Sequence, residues 1–210
     1  APHLPLQAPE RYVQRCLDRY REGYDVLRQR RFEKQKKLGL VPADMSLPMF
    51  DSEFGGHRPA WTELTPEQQK QWTHDMAIYA AMIEIMDEGI GKVVETIRRK
   101  GMLENTVFLF LSDNGATLEG GFLGQLMADL SNTPYRSYKQ WCFQGGTSSP
   151  LIVTYGDPDK NRMAGKICTQ PCHIIDILPT CLALANVNYP DTCRPAALPG
   201  RSLLPTAFGR

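Results

Sequence analysis

An aspartate, an asparagine and a glycine follow directly after an apolar segment near the middle of the chain. Residues 106–112 are rich in β-branched and aromatic side chains, and Asp113, Asn114 and Gly115 come next. In open α/β sheets ligands bind beyond the carboxyl ends of the strands, so polar residues at this place are candidates for function. Adjacent carboxylate and amide oxygens suit a hard cation that prefers several oxygen ligands. The same residues also form ordinary turns, and their spacing alone leaves both interpretations open.

The segments around this motif predict an α/β fold. Residues 106–112 form a continuously apolar run, which is typical of a strand covered on both faces. A second strand is predicted at 151–155, after Pro150. Because a helix that precedes such a strand is half of a βαβ unit, we expect a mostly parallel or mixed β-sheet flanked by helices on both faces.

Helical periodicity is strongest before the first predicted strand. Thr65 offers an N-cap hydroxyl, Pro66 follows it, and Gln68 lies three residues after the cap, which is a capping-box pattern. Apolar residues keep helical spacing over 76–97, and cations and a glycine then end the helix at 98–101. We expect a long helix that is largely buried on one face.

Other parts of the chain show weaker patterns. Residues 10–38 present one apolar helical face and predict a helix. A shorter helix is expected at 173–185, where His173 and Asp176 are interpreted as structural, since a carboxylate is favourable near a helix start. Residues 41–61 mix proline, glycine and aromatic residues without a period and predict an irregular surface excursion.

Blocks of sequence along the chain resemble the sulfatase family of the alkaline-phosphatase superfamily, in the family's order. Residues 104–115, ENTVFLFLSDNG, resemble its "(D/E)NT, apolar run, SDNG" signature. The other blocks are PHLPLQAP at 2–9, SNTPYRSYK at 131–139 followed by GG at 145–146, QPCHIIDILPT at 170–180 and LPGRSLLP at 198–205. The resemblance covers the chain nearly end to end. It implies that the α/β fold is part of an alkaline-phosphatase-like sandwich.

The resemblance also implies a set of site residues. Asp113 and Asn114 would be two ligands of a calcium ion (Ca2+) that also touches the substrate sulfate, while His3 and Lys139 would contact sulfate or leaving-group oxygen. The chemistry agrees, because cleavage of a sulfate ester develops negative charge that a divalent ion and an ammonium group stabilise. Histidine can hold or donate a proton, which suits assistance to the leaving group. Outside the motif blocks, His3 and Lys139 would be interpreted as ordinary surface residues.

The nucleophile of the family has no counterpart in this sequence. It is a cysteine or serine, matured to formylglycine, in a Cys/Ser-x-Pro/Ala-x-Arg segment, and none of the 6 cysteines lies in such a segment. Two protein ligands are also few for calcium, which takes about six to eight oxygens. We therefore expect residues 1–210 to be the C-terminal portion of a sulfatase catalytic domain that lacks the N-terminal portion with the nucleophile and is inactive alone. A non-catalytic paralogue is the alternative.

Different functions remain compatible with these residues. The first is hydrolysis of an aryl or carbohydrate sulfate ester. The second is hydrolysis of a phosphoester or phosphonate by the same superfamily, and the third is a degenerate oxyanion- or glycan-binding module without turnover. A cysteine or serine before x-Pro/Ala-x-Arg upstream would favour the sulfatase, whereas a threonine or plain serine would favour phosphoryl transfer.

Composition narrows the expected partners. A net charge of +1 with 22% charged residues gives no field typical of a nucleic-acid or membrane-surface binder. No apolar stretch approaches the roughly 18 residues that cross a bilayer, so no membrane span is expected. The expected partners are a sulfated small molecule or glycan and the missing N-terminal portion of the same protein. The resemblance implies a periplasmic or secreted location.

Overall fold

The chain contains both helices and a β-sheet, which confirms the predicted α/β class. The computed structural model describes residues 2–49, 58–157, 163–189 and 198–208. Two compact units are present, formed by Ala1–Thr96 with Asn114–Pro150 and by Ile97–Asp113 with Leu151–Arg210.

The helices and strands are short except for one helix. Their order is α1 (Glu10–Leu17), α2 (Tyr24–Lys37), α3 (Pro66–Arg99), β1 (Val107–Leu111), α4 (Gly121–Ser131), α5 (Gln144–Thr147), β2 (Leu151–Tyr155), α6 (Ile177–Ala185) and α7 (Leu204–Phe208). Within the predicted excursion, the described stretches 41–49 and 58–60 contain no helix or strand, and 50–57 lie outside the described residues. No helix in the described part of the chain is long and apolar enough to cross a membrane.

The helix predicted over 10–38 is in fact two helices, α1 and α2. Gly23 stands immediately before α2 with a φ of 83°, a conformation that residues with a side chain rarely adopt. A Cβ at this position would lie 2.3 Å from the ring of Trp61, so the glycine also permits close packing of that ring. The apolar spacing continues across the break, which explains why the pattern predicted a single helix.

Helix α3 begins and ends as predicted. The side chain of Thr65 accepts a hydrogen bond from the backbone N–H of Gln68 at 3.2 Å, and the Gln68 side chain accepts one from the Thr65 N–H at 2.9 Å. This reciprocal pair is a capping box. The prediction that the helix is largely buried on one face holds only for its first half. Burial ends at Ala81, and Val93 is 57% exposed.

The core of the first unit lies where α2, α3 and α4 meet. Trp72 is fully buried, and the rings of Tyr20, Tyr24 and Trp61 contact it edge-on with centroid distances from 5.3 to 6.2 Å. Aromatic pairs in this geometry contribute about 0.5–1.5 kcal/mol each beyond the burial of their area. Leu130 brings α4 into the same cluster, and small buried residues pack α1 against α3 beside it.

The second unit contains both predicted strands. β1 and β2 pair antiparallel, with Leu109 opposite Val153, so the described residues contain no parallel pair of the kind we expected. The expectation that β1 is covered on both faces is also wrong. Phe110 on β1 is 44% exposed and Ile152 on β2 is 57% exposed. An apolar run predicts that a strand forms, but it does not specify what covers the faces of that strand.

The helix predicted over 173–185 begins later, at Ile177, after a single 3₁₀ turn. The backbone N–H of His173 donates to the carboxylate of Asp176 at 2.8 Å, and the Nδ1 of His173 accepts the backbone N–H two residues further on at 3.2 Å. Both side chains therefore cap the start of this segment. This agrees with their structural interpretation.

Candidate functional site

The side chains of His3 and Lys139 meet in the first unit. The Nζ of Lys139 lies 3.1 Å from the Nε2 of His3, although 136 residues separate them in the sequence. The carboxylate of Glu119 lies 3.1 Å from the same Nζ and 3.8 Å from the same Nε2. These side chains form a charged cluster in which both residues predicted to contact sulfate stand beside an acid that was not predicted.

The contacts of the two ring nitrogens of His3 favour one of its neutral tautomers. Its Nδ1 lies 3.1 Å from the carbonyl oxygen of Leu4, which can only accept, and its Nε2 faces the ammonium of Lys139, which can only donate. A neutral ring with the proton on Nδ1 satisfies both contacts. The Nε2 lone pair then accepts a hydrogen bond from Lys139.

The charged cluster is open to solvent. The side chain of Lys139 is 21% exposed, and those of His3 and Glu119 are each 49% exposed. An ion pair this accessible contributes only about 0.2–1 kcal/mol, because water screens it and two flexible side chains must be ordered. Little free energy therefore holds the carboxylate in place, and a small anion from solvent can reach both nitrogen atoms.

The backbone that carries Lys139 is firmly held. Its N–H donates to the carbonyl oxygen of Ala116 at 3.0 Å. The preceding residue, Tyr138, is 1% exposed and its hydroxyl donates to the carboxylate of Asp129 on α4, which Arg58 pairs with at 2.8 Å. Burial, followed by the charge of Asp129, raises the pKa of the Tyr138 hydroxyl, which keeps the hydroxyl protonated as a donor. The lysine thus projects from an anchored segment.

The side-chain amide of Asn132 connects the loops of the site. Its Oδ1 accepts from the N–H of Ala116 at 3.0 Å, and its Nδ2 donates to the carbonyl oxygens of Ser137 at 2.8 Å and Gly145 at 2.9 Å. A single amide therefore fixes the loop after the Asp-Asn-Gly motif against the loop that presents the lysine. Removing it would leave partly buried backbone groups without partners.

The glycine of the motif is required by a close approach of two backbones. The N–H of Gly115 donates to the carbonyl oxygen of Gly146 at 3.1 Å. A Cβ on Gly115 would lie 1.7 Å from the carbonyl oxygen of Gly145, a distance that no side chain permits. The loop after the motif therefore packs directly on the start of α5.

The two predicted calcium ligands fall on either side of the division between the units. Asn114 is half-buried and belongs to the first unit, whereas Asp113 is exposed and belongs to the second. Their carboxylate and amide oxygens are of the type that calcium prefers. Within the described ranges, no three His, Cys, Asp or Glu side chains gather in a way that could hold a metal ion. The donor set of this chain fits calcium only as part of a larger set.

Glu119 and Asn132 were missed as site residues. Glu119 lies in the stretch 117–130, which resembles no motif, and nothing in its spacing from Lys139 indicates a contact. Asn132 had a usable signal, since it is part of the block that ends in Lys139 and follows the last residue of α4. An asparagine at a helix end inside a motif is a candidate for fixing neighbouring loops.

Comparison with known proteins supports the family that the motif blocks indicated. The sequence profile described as Sulfatase matches residues 1–187. An uncharacterised sulfatase of Schizosaccharomyces pombe is 34% identical over 90% of this chain and 38% of its own length. An arylsulfatase of Klebsiella aerogenes is 32% identical over 90% of this chain and 45% of its own length. Human N-acetylgalactosamine-6-sulfatase is 32% identical over 61% of this chain and 23% of its own length.

The chain spans less than half the length of these relatives. The profile nevertheless covers most of the chain, from the loop that contains His3 through the residues of α6. Matches of this extent confirm the resemblance carried by the motif blocks, and the chain therefore belongs to the sulfatase family.

Proposed function

We propose that this chain supplies the oxyanion-binding part of an active site that hydrolyses aryl or carbohydrate sulfate esters. The observation that carries the proposal is the meeting of His3 and Lys139, 3.1 Å apart across 136 residues of sequence. Both side chains reach solvent, so a sulfate group can approach them. The similarity to the Klebsiella aerogenes arylsulfatase supports the choice of reaction.

Lys139 would stabilise the negative charge that develops on the sulfate oxygens. Its anchored backbone places the ammonium before substrate arrives, so little reorganisation is needed during the reaction. When the sulfate takes over the hydrogen bond from the ammonium, the Nε2 of His3 becomes free to bind a proton from solvent. The imidazolium would then donate this proton to the departing ester oxygen.

Asp113 and Asn114 would hold a calcium ion (Ca2+) through one carboxylate and one amide oxygen. When bound, the ion would supply positive charge close to the substrate sulfate. The remaining ligands and the formylglycine nucleophile would come from residues outside this sequence. The chain would be the C-terminal portion of a longer catalytic domain, and its coverage of only 38% and 45% of two relatives' length supports its being one portion of such a domain.

The same proposal extends to the surroundings of the site. The sheet of β1 and β2 would be part of a larger mixed sheet of alkaline-phosphatase type, and its exposed apolar side chains support this. The partners would be a sulfated small molecule or glycan and the N-terminal portion of the same protein. The location would be periplasmic or secreted, where such substrates occur.

The test compares lysine variants in the complete gene product. Lys139→Gln should lower kcat/KM for 4-nitrophenyl sulfate by about 10²–10³-fold, because it removes a cation that stabilises the transition state. Lys70→Gln, at an exposed position of α3, is the matched control and should retain wild-type activity. His3→Ala should slow esters with poor leaving groups more than 4-nitrophenyl sulfate, because only poor leaving groups need a proton.

Each result of this comparison has a defined meaning. Wild-type activity in Lys139→Gln would contradict the proposal that the charged cluster binds the sulfate oxygens. A wild-type rate of His3→Ala on a poor-leaving-group ester would remove the proton-donor role. Hydrolysis of 4-nitrophenyl phosphate in place of the sulfate would identify a phosphoester hydrolase. Sulfate binding without turnover of either ester would identify a binding module.

A further inference from the structure

The carboxylate of Glu119 contacts the same atoms that would receive the sulfate of a substrate. It lies 3.1 Å from the Nζ of Lys139 and 3.8 Å from the Nε2 of His3. Carboxylate and sulfate oxygens are both acceptors for an ammonium group, which has a limited number of N–H donors. The two anions therefore compete for the same place.

We propose that Glu119 is an internal competitor for substrate: its carboxylate occupies the oxyanion site of His3 and Lys139 in the unliganded protein and leaves when sulfate binds. This inference rests on the oxyanion part of the proposed function and not on turnover. It assigns Glu119 a role in setting anion affinity. The residue takes no part in the chemical step.

The structure allows the carboxylate to leave without rearrangement of the backbone. The carbonyl group of Glu119 packs against α4, where a Cβ on Gly124 would lie 2.2 Å from the Glu119 oxygen. The N–H of Glu119 donates to the hydroxyl of Thr117 at 3.3 Å. The side chain, by contrast, is 49% exposed, so rotation of its own bonds carries the carboxylate into water.

The competition is expected to be moderate. The accessible pair between Glu119 and Lys139 is weak, and a sulfate ion carries more charge than a carboxylate. Sulfate therefore displaces the carboxylate, and breaking the contact between Glu119 and Lys139 makes the net binding free energy of sulfate less favourable. Replacing Glu119 with a neutral residue of the same shape should therefore tighten sulfate binding.

The test titrates the complete gene product with sodium sulfate, with chloride used to hold the ionic strength constant. The imidazole resonances of His3 report binding directly at the site, and far-UV circular dichroism checks the fold of each variant. Glu119→Gln should lower the dissociation constant for sulfate by about two- to fivefold, as expected from removal of an exposed pair. Lys139→Gln should abolish the response of the His3 ring.

A second glutamate provides the matched control. Glu22 pairs with Arg30 at 2.8 Å on the surface of the first unit, so Glu22→Gln changes the net charge and removes an exposed ion pair to the same extent. Its sulfate affinity should equal that of the wild type. Equal tightening in both variants would show a general charge effect and overturn the proposal.

The remaining outcomes separate this inference from the proposed function. Unchanged or weaker sulfate binding in Glu119→Gln would overturn the proposal that Glu119 competes with sulfate. So would the absence of a His3 response in both the wild type and Glu119→Gln. Both conclusions hold even if the complete gene product hydrolyses sulfate esters. Tighter binding in Glu119→Gln would support the competitor even if the complete gene product lacks turnover. The affinity and the activity therefore decide the two proposals independently.

Discussion

The two units differ in how far they bury their own apolar side chains. In the first unit, Phe32 and Leu130 are each 1% exposed and Trp72 is fully buried among aromatic rings. In the second unit, Phe110 and Ile152 remain 44% and 57% exposed on a sheet of two strands. A two-stranded sheet whose apolar side chains stay this exposed gains little stability from burial. The charged cluster thus belongs to the unit that has a closed core.

Two phenylalanines offer a matched test of this difference, and it has the largest expected effect. Phe32→Ala should cost about 3–5 kcal/mol of unfolding free energy, because it opens a cavity in a packed core. Phe110→Ala should cost about 1 kcal/mol, because its ring already contacts water. Urea unfolding followed by tryptophan fluorescence reports the first unit, and hydrogen exchange of the β1 amides reports the second.

The tryptophan signal is specific because Trp61, Trp72 and Trp141 all lie in the first unit. Phe110→Ala should therefore leave the fluorescence midpoint close to that of the wild type. A loss of several kcal/mol in Phe110→Ala would mean that the sheet contributes far more to stability than its exposure indicates. The contrast between the units would then be wrong.

The same contrast explains how much of the fold the sequence could predict. Both strands and both ends of α3 were predictable, because apolar runs, capping residues and terminal glycines act locally. The break between α1 and α2 at Gly23 was not predictable, because the apolar spacing runs through it. The glycine is required by close packing against Trp61, which lies 38 residues further along the chain. The exposure of the sheet was also unpredictable, because an apolar run does not specify its neighbours.

The candidate site divides in a similar way. The family motifs indicated His3 and Lys139, and the structure brings them together. Glu119 and Asn132 act through contacts between loops that have no periodic pattern, so only the folded chain reveals them. The roles of Asp113 and Asn114 as calcium ligands stay predictions.

Asn132→Asp tests whether one amide holds the loops of the closed unit together, and it has an intermediate expected effect. The aspartate keeps the acceptor for Ala116 but replaces the donor to Ser137 and Gly145 with a negatively charged oxygen. We expect a loss of about 1–3 kcal/mol, because partly buried carbonyl groups lose their partner. Fluorescence-detected urea unfolding measures it, and the resonances of His3 should broaden or shift.

Gln7→Glu is the control for this variant. Gln7 is an exposed residue outside the helices of the first unit, so the same change from an amide to a carboxylate should alter stability by no more than about 0.5 kcal/mol. If Asn132→Asp were as mild as this control, the loops would be held by their backbone contacts alone. The charged cluster would then not depend on the amide.

Replacing one aspartate in each unit by asparagine has the smallest expected effects on the free energy of unfolding, and the two effects have opposite signs. Hydrogen bonds from the backbone N–H groups of Arg201 and then His173 lower the pKa of Asp176 in the second unit. Burial raises the pKa of Asp75 on α3 in the first unit, although Gln71 donates to its carboxylate at 2.8 Å. At pH 7, Asp176→Asn should therefore lower the free energy of unfolding by no more than about 0.5 kcal/mol, because solvent screens its charge, and Asp75→Asn should raise it by about 0.3 kcal/mol.

The pH dependence of these variants follows from the signs of the shifts. The lowered pKa of Asp176 contributes stability above its unfolded value of about 3.9, and this is lost as the pH falls through the folded value. The raised pKa of Asp75 imposes a cost above its folded value, and this disappears as the pH falls below the unfolded value. At pH 7 and near pH 3, fluorescence-detected urea unfolding for Asp75 and hydrogen exchange of second-unit amides for Asp176 should show both differences from wild type shrinking in acid. A difference that keeps its full size in acid would mean that the charge of the aspartate does not cause it.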